Sequence, residues 1–278
     1  MKTKIKIFKM NGLGNDFVMI DSAGIDGMDI ANLAKNISNR HLGVGCDQLI
    51  FYRKDGDEYI MEIYNQDGST AEACGNATRC LAWLINSPKV TIKVLDRRFD
   101  CILKNDGRVE VDMGPPAFNE AWMPSEEIIL KILSGLCEPQ NTKIACVGFG
   151  NPHLVIVNSD FTNEDHKKIG GLLERHKIFS KGVNVNFARI NEQSSQNNQV
   201  LEINLRVWER GSGFTLACGS GACATFAALR KLGFIYDKAQ VKFELGELEL
   251  AVRGGNIFMT GDAHMVAKGY YYYEPKRR

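Results

Sequence analysis

The sequence has no long apolar run: no stretch approaches the ~20 residues that a helix needs to span a bilayer. It has no excess of either charge, with 34 Lys and Arg against 33 Asp and Glu and a formal net charge of +1. That balance removes the electrostatic argument for nucleic acid or an anionic membrane as a partner. The N-terminal Lys4 to Met10 alternates charge and apolarity and lacks the apolar core of a signal peptide. It reads as a first strand, and the protein is expected to be cytoplasmic. No Cys-x2-Cys pair occurs, which disfavours a zinc knuckle or a thioredoxin-like motif. The Gly12-Leu13-Gly14 turn lacks the spacing of a dinucleotide fingerprint. What remains is an ordinary globular composition, 44% hydrophobic and 24% charged over 278 residues, long enough for two domains.

Eight cysteines in a chain this long are not a disulfide framework. Cys46, Cys101, Cys137 and Cys146 stand singly among apolar residues and are expected to pack in the core. Cys74 with Cys80 and Cys218 with Cys223 form two local pairs. The first half reads as strands near 3–10, 17–21, 47–52 and 58–65, with a helix near 30–39 capped by Asp29. A turn-rich passage from Asn65 to Ser69 then leads to Cys74-Gly75-Asn76 and an apolar helix, followed by strands and an Asn105-Asp106-Gly107 hairpin. The stretch from Gly114-Pro115-Pro116 to Pro124 marks a boundary. The second half repeats the order: strands, a helix near 164–175 started by Thr162 and Asp165, strands, Glu209-Arg210-Gly211, then Cys218-Gly219-Ser220 and a helix ending near Gly233. Segment 192–199, rich in Gln, Asn and Ser, reads as a loop; His166 and His176 are expected to be solvated, and His264 has no motif context.

Overlaying the halves sets Ala73-Cys74-Gly75 on Ala217-Cys218-Gly219. The second helix is small and apolar on nearly every side, as if wrapped by a sheet. The expected fold is therefore α/β (α+β), with two pseudo-symmetric domains, each a curved mixed sheet around a central helix. The expected boundaries are 1–115 and 116–262, with the tail 263–278 packing back on the first domain.

A cysteine at a helix start sits where unpaired N–H groups and the helix dipole favour a thiolate. The same N–H groups can hold a carboxylate, and glycine beside them permits close approach. Used twice, the device would set one sulfur on each face of an amino acid α-carbon. One takes a proton, the other returns one, and the centre inverts without metal or pyridoxal phosphate. Oriented N–H donors in a dry site would stabilise the enediolate-like charge. A single Cys-Gly would more often be packing; symmetric placement before two helices favours catalysis. Cys80 and Cys223, inside the helices, are read as core.

The chain resembles the diaminopimelate epimerase family. The matching stretches are Lys9 to Phe17, Arg40 to Gln48, Asn65 to Ser69, Cys74-Gly75-Asn76, Gly150 to His153, Val183-Asn184, and Glu209-Arg210-Gly211 through Cys218-Gly219-Ser220-Gly221. The resemblance implies interconversion of LL- and meso-diaminopimelate for lysine and peptidoglycan, by a homodimer with no cofactor and no metal. It implies Cys74 and Cys218 as the acid–base pair, with His153 tuning Cys74 and Glu209 tuning Cys218. It implies Gly75, Asn76, Gly219 and Ser220 around the reacting carboxylate. Asn15, Gln48, Asn65, Asn151, Asn184, Glu209 and Arg210 would bind the rest of the substrate, Arg210 as a carboxylate clamp. Asn11, Ala77, Thr78 and Phe214 depart from the family pattern, and of these Ala77 and Phe214 are expected near the reacting groups, where rate and fine specificity are set. Two other readings stand beside this one: a proline-racemase-like enzyme, disfavoured by Asn76 and Arg210, and a thiol redox or metal-binding protein.

Overall fold

A computed structural model describes residues 3–23, 25, 27–72, 74–136, 142–157, 161–191, 200–234 and 236–274. The 192–199 loop and Cys137 lie outside these residues. The chain forms two compact units, Met1–Val111 with Gly261–Arg278, and Asp112–Thr260. The junctions fall a few residues before 115/116 and 262/263. Met113 donates its N–H to Ile257 O and Ile257 to Gly114 O, so the residues just before the prolines are tied into the second unit.

In the first unit the strands are β1 (Thr3–Gly12), β2 (Asn15–Asp21), β3 (Gln48–Asp55), β4 (Glu58–Asn65), β5 (Thr70–Ala71), β6 (Lys89–Val94), β7 (Arg97–Leu103) and β8 (Val109–Asp112). Beside β1 lies β17 (His264–Tyr273). The order is β17-β1-β2-β3-β4-β6-β7-β8, with β2–β3 and β4–β6 parallel and the other pairs antiparallel. Helix α1 (Ile30–Ser38) connects β2 to β3, and α2 (Gly75–Ile85) connects β5 to β6.

The second unit repeats this connection. It has β9 (Lys143–Gly148), β10 (Pro152–Val157), β11 (Asn184–Ile190), β12 (Val200–Glu209), β13 (Gly213–Thr215), β14 (Lys238–Phe243), β15 (Gly246–Arg253) and β16 (Asn256–Gly261). They run β9-β10-β11-β12-β14-β15-β16, parallel at β10–β11 and β12–β14, the counterparts of the parallel pairs in the first unit. Helices α4 (Asn163–Leu173) and α5 (Gly219–Lys231) stand where α1 and α2 stand; α3 (Glu126–Ser134) precedes β9.

Helix α2 packs on β1 and β2 and also on β6 and β7. Five strand spacings separate β1 from β7, roughly 24 Å in a flat sheet. A helix about 10 Å across touches both only if the sheet curls around it. Helix α5 meets β9, β10, β11 and β15 in the same way. Its Gly, Ala and Ser residues make that enclosure possible, and Gly219 and Gly221 through Leu229 are buried. A second apolar layer lies on the outer face of each sheet: Leu33, Ala34 and Ile37 of α1 with Ile5, Ile7, Val18 and Ile20, and Ile129, Leu133, Ile169 and Leu173 of α3 and α4 with Leu154 and Val185.

The local signals are satisfied. Asp29 caps α1 by accepting from Asn32 N–H at 3.1 Å, and Thr162 with Asp165 forms a capping box on α4. Gly233 and Phe234 donate to Arg230 O and Leu229 O, closing α5 with a Schellman turn at φ +99° for Gly233. The structure adds one element and corrects one expectation. Helix α3, just beyond the boundary segment, has no counterpart in the sequence reading, although Ser125 and Glu126-Glu127 mark its start. His166 is not solvated: it lies between Phe161 and Phe187, stacked on Phe187 at 4.3 Å.

Candidate active site

In the first unit Cys74 is the N-cap of α2, in extended backbone at φ −147° and ψ 103°, and its side chain makes no cap bond. The amides of Gly75 and Asn76 open the helix behind it. The thiol donates to Asn15 Oδ1 at 3.5 Å, which Asn76 Nδ2 also approaches at 3.4 Å. Asn15 in turn donates to Asp47 Oδ2 at 2.9 Å. Below it, Asp16 takes bonds from Arg40 and Lys9. Burial would raise the Asp16 carboxyl, but these two cations outweigh it and hold it at about 2. Gln48 and Asn65 face each other across β3 and β4 with a 3.0 Å bond between their amides, and Asn65 also donates to Ser69 Oγ.

In the second unit Cys218 caps α5, and its sulfur accepts from Gly221 N–H at 3.4 Å and contacts Ser220 Oγ at 3.5 Å. Burial and the neighbouring Glu209 carboxylate push this thiol well above its ordinary value. Burial also raises Glu209, against bonds from Thr215 Oγ1, at 2.5 Å, and from Cys218. Cys218 is therefore a protonated thiol at neutral pH.

His153 is fully buried, and burial drops its imidazole to about 3, so the ring is neutral. Asn186 Nδ2 donates to Nδ1 at 3.1 Å, which leaves the proton on Nε2. That nitrogen donates to Asn151 Oδ1 at 2.7 Å and lies 3.2 Å from Ser220 Oγ. Within its unit His153 thus connects through Ser220 to Cys218. Asn184 is used at both ends, donating to Pro152 O and accepting from Arg210 N–H at 2.8 Å. The Arg210 side chain is exposed, and its guanidinium meets Lys181 O.

The two sets occupy equivalent places. Gln48 and Asn184 open the parallel strands β3 and β11, and Asn65 and Glu209 close β4 and β12 beside them. Phe17 stands opposite Gln48 as His153 stands opposite Asn184, which matches Asn15 with Asn151. The duplicated fold carries a duplicated site, and the charges differ between the copies.

Sequence reading missed several supports. Glu174 holds the turn after β12, accepting from Trp208 Nε1 at 2.9 Å and Gly211 N–H at 2.7 Å. Asn186 fixes the His153 tautomer, and Arg79 bonds to Asn76. Each lies inside a helix, a strand or a helix end, where an isolated polar residue gives no pattern to read. Among the departures, Ala77 is buried, Thr78 Oγ1 bonds to Cys74 O, and Phe214 packs edge-on against Trp208. Cys80 and Cys223 are core residues with no exposure. Among the described residues no three His, Cys, Asp or Glu side chains gather as a metal would require.

The model of the family described as diaminopimelate epimerase matches residues 7–119 and 145–266. The chain belongs to that family. A diaminopimelate epimerase of Rickettsia akari is 46% identical over 279 residues, covering 99% of this chain and all of the relative. That of Rickettsia felis is 44% identical over the same span. Among solved structures, a phenazine biosynthesis protein of the PhzF family from Bacillus anthracis superposes with a TM-score of 0.68 at 12% identity, covering 97% of this chain and 99% of that one. A probable proline racemase from Agrobacterium radiobacter K84 gives 0.68 at 14% identity, covering 98% and 94%. At these identities the likeness is one of fold, and it places the chain among mixed α+β proteins with a large mixed sheet.

Proposed function

We propose that this chain epimerises diaminopimelate between its LL and meso forms, with Cys74 and Cys218 as acid and base and without pyridoxal phosphate. Family membership supports the reaction. The observation that carries the chemistry is the repeated cysteine N-cap, each sulfur beside the first amides of a buried helix. One thiolate takes the α-proton, the electron pair moves into the substrate carboxylate, and the other thiol delivers a proton to the opposite face. The amides of Gly75, Asn76, Gly219 and Ser220 hold the carboxylate as its negative charge grows. Burial and Glu209 keep Cys218 protonated, which suits it as the acid in the direction where a Cys74 thiolate is the base.

Asn15, Gln48, Asn65, Asn151 and Arg210 present amide and guanidinium groups suited to the second amino acid end of the substrate, and a shorter substrate would leave them unpaired. Asn184 serves by fixing the Arg210 backbone. His153 and Glu209 tune the cysteines. The reaction supplies precursors of lysine and peptidoglycan.

The test is incubation of reduced protein with LL-diaminopimelate in D2O, with no cofactor and with a chelator present. Meso product carrying one solvent deuteron is expected, with C74A and C218A each losing at least a thousandfold in rate. Turnover surviving in either variant would remove that cysteine from the mechanism; turnover of proline instead would favour the racemase reading. The homodimer is supported by Val266, Tyr270 and Tyr272, exposed along β17, and sedimentation equilibrium tests it. No helix among the described residues is long and apolar enough to cross a membrane; a cytoplasmic location is tested by cell fractionation.

A further inference from the structure

The two helix starts match in position and differ in charge. Five residues after each capping cysteine stand Arg79 and Cys223, both with no exposure. The first unit thus buries a guanidinium where the second has an uncharged thiol. Conversely, the second unit has the Glu209 carboxylate where the first has the Asn65 amide. The guanidinium is directed inward: Nη2 donates to Asn76 Oδ1 at 2.9 Å and Nε to Asp262 O at 3.3 Å. With its oxygen held, Asn76 turns Nδ2 toward Asn15 Oδ1, the acceptor of the Cys74 thiol. Gly12 leaves room for this, since a Cβ there would stand 3.2 Å from Arg79 Nη2.

A fully buried cation is screened little by solvent or salt. Its charge bears on the next residue of the same helix: burial lifts the Cys80 thiol to about 12, against the pull of Arg79 and with the push of Cys74.

We propose that Arg79 is a positioning residue of the Cys74 site: its guanidinium fixes the Asn76 amide and, through Asn15, the Cys74 thiol, and supplies the positive charge that favours sulfur anion there. With Glu209 acting in the opposite sense on Cys218, the duplicated site becomes polar, with one cysteine set as base and the other as acid. This rests on the reading of both cysteines as acid–base groups.

The experiment follows alkylation of Cys74 and Cys218 by iodoacetamide against pH in the full-length protein, resolved by peptide mass spectrometry. In the wild type the midpoint for Cys74 is expected below that for Cys218. R79Q keeps a donor and loses the charge; it is expected to move the Cys74 midpoint up by about one pH unit, about a tenfold loss of thiolate near neutrality, with Cys218 unmoved. R79K is expected to recover most of that shift. E209Q is the mirror case, lowering Cys218 and leaving Cys74. Circular dichroism and melting confirm the fold of each variant. An unmoved Cys74 midpoint in folded R79Q overturns the proposal. If R79Q does not fold, the wild type decides, and a Cys74 midpoint at or above that of Cys218 overturns it. Because alkylation needs no turnover, failure here leaves the epimerase reading standing. The expected titrations without meso product would refute that reading alone.

Discussion

His166 lies with its ring stacked on Phe187, and its Nδ1 is buried with no hydrogen-bond partner among the described residues. Burial, helped by Arg206, lowers the imidazole to about 4 from an ordinary 6.5. The unfolded chain therefore binds this proton first as the pH falls. Stability from the neutral ring is fully present above about 6.5 and is lost as the pH drops toward 4, with no further loss below. H166F keeps the stack and removes the titration. Urea unfolding at pH 7 and pH 5 is expected to show the wild type losing about 1 kcal/mol more than the variant, a figure already reduced for partial exposure. Equal losses would show that the ring is solvated in solution. The placement was legible in principle, since residues 166, 169 and 173 share one face of a helix and Ile169 and Leu173 are core. The cysteines were read correctly as helix caps because a Cys-Gly before an apolar run is a local pattern. Glu174 and Asn186 act through partners on other elements, which no local pattern records.

Helices α1, α2, α4 and α5 and fourteen of the strands depend mostly on signals inside their own segments, and those signals sufficed; the short β5 and β13 sit in passages that read as turns. Caps, periodicity and turn glycines such as Gly254 and Gly255, both at positive φ, mark the ends. What local signals leave out is the seat of an element against its neighbours, and α4 shows the consequence. Gly170 and Gly171 are adjacent helical glycines, and propensity favours alanine at both by roughly 0.5–1 kcal/mol. A Cβ at Gly170, however, would stand 2.6 Å from Trp208 Cγ, whereas at Gly171 the nearest atom is Trp208 Cζ2 at 3.6 Å. Trp208 cannot move freely because its Nε1 is bonded to Glu174. G171A is thus expected to gain about 0.5 kcal/mol in urea unfolding, and G170A to lose about 1–3 kcal/mol through overpacking. G170A should also disturb the turn that Glu174 holds, raising KM for diaminopimelate. Equal effects from the two substitutions would mean that the indole is not fixed against α4.

The whole molecule is a duplication with one addition, and the addition is where sequence and fold are farthest apart. The repeat was legible because it sets like residues on like residues. The tail was expected on the first domain, but its register on β1 was not legible, since Thr3 meets Tyr273 across almost the full length of the chain and sheet register is decided by packing. This pairing makes the first unit discontinuous and the second, Asp112–Thr260, continuous. Removal of residues 264–278 is a test of that organisation. It strips β1 of its partner from Thr3 to Asn11, leaving only Phe8–Gly12 paired with β2. It also removes Tyr273, which is 4% exposed and accepts from Asn32 Nδ2 at 2.8 Å. Loss of one such aromatic costs about 3–5 kcal/mol, a large share of the ~5–15 kcal/mol that holds an average domain. Hydrogen exchange on the truncated chain should show lost protection in β1 and α1 and unchanged protection in β9 to β16, with epimerase activity abolished. Because the Cys218 half would stay folded, its thiol should still titrate high beside Glu209. Protection lost equally in both units would mean that they fold as a single cooperative block, and protection kept in β1 would mean that β17 is dispensable to it.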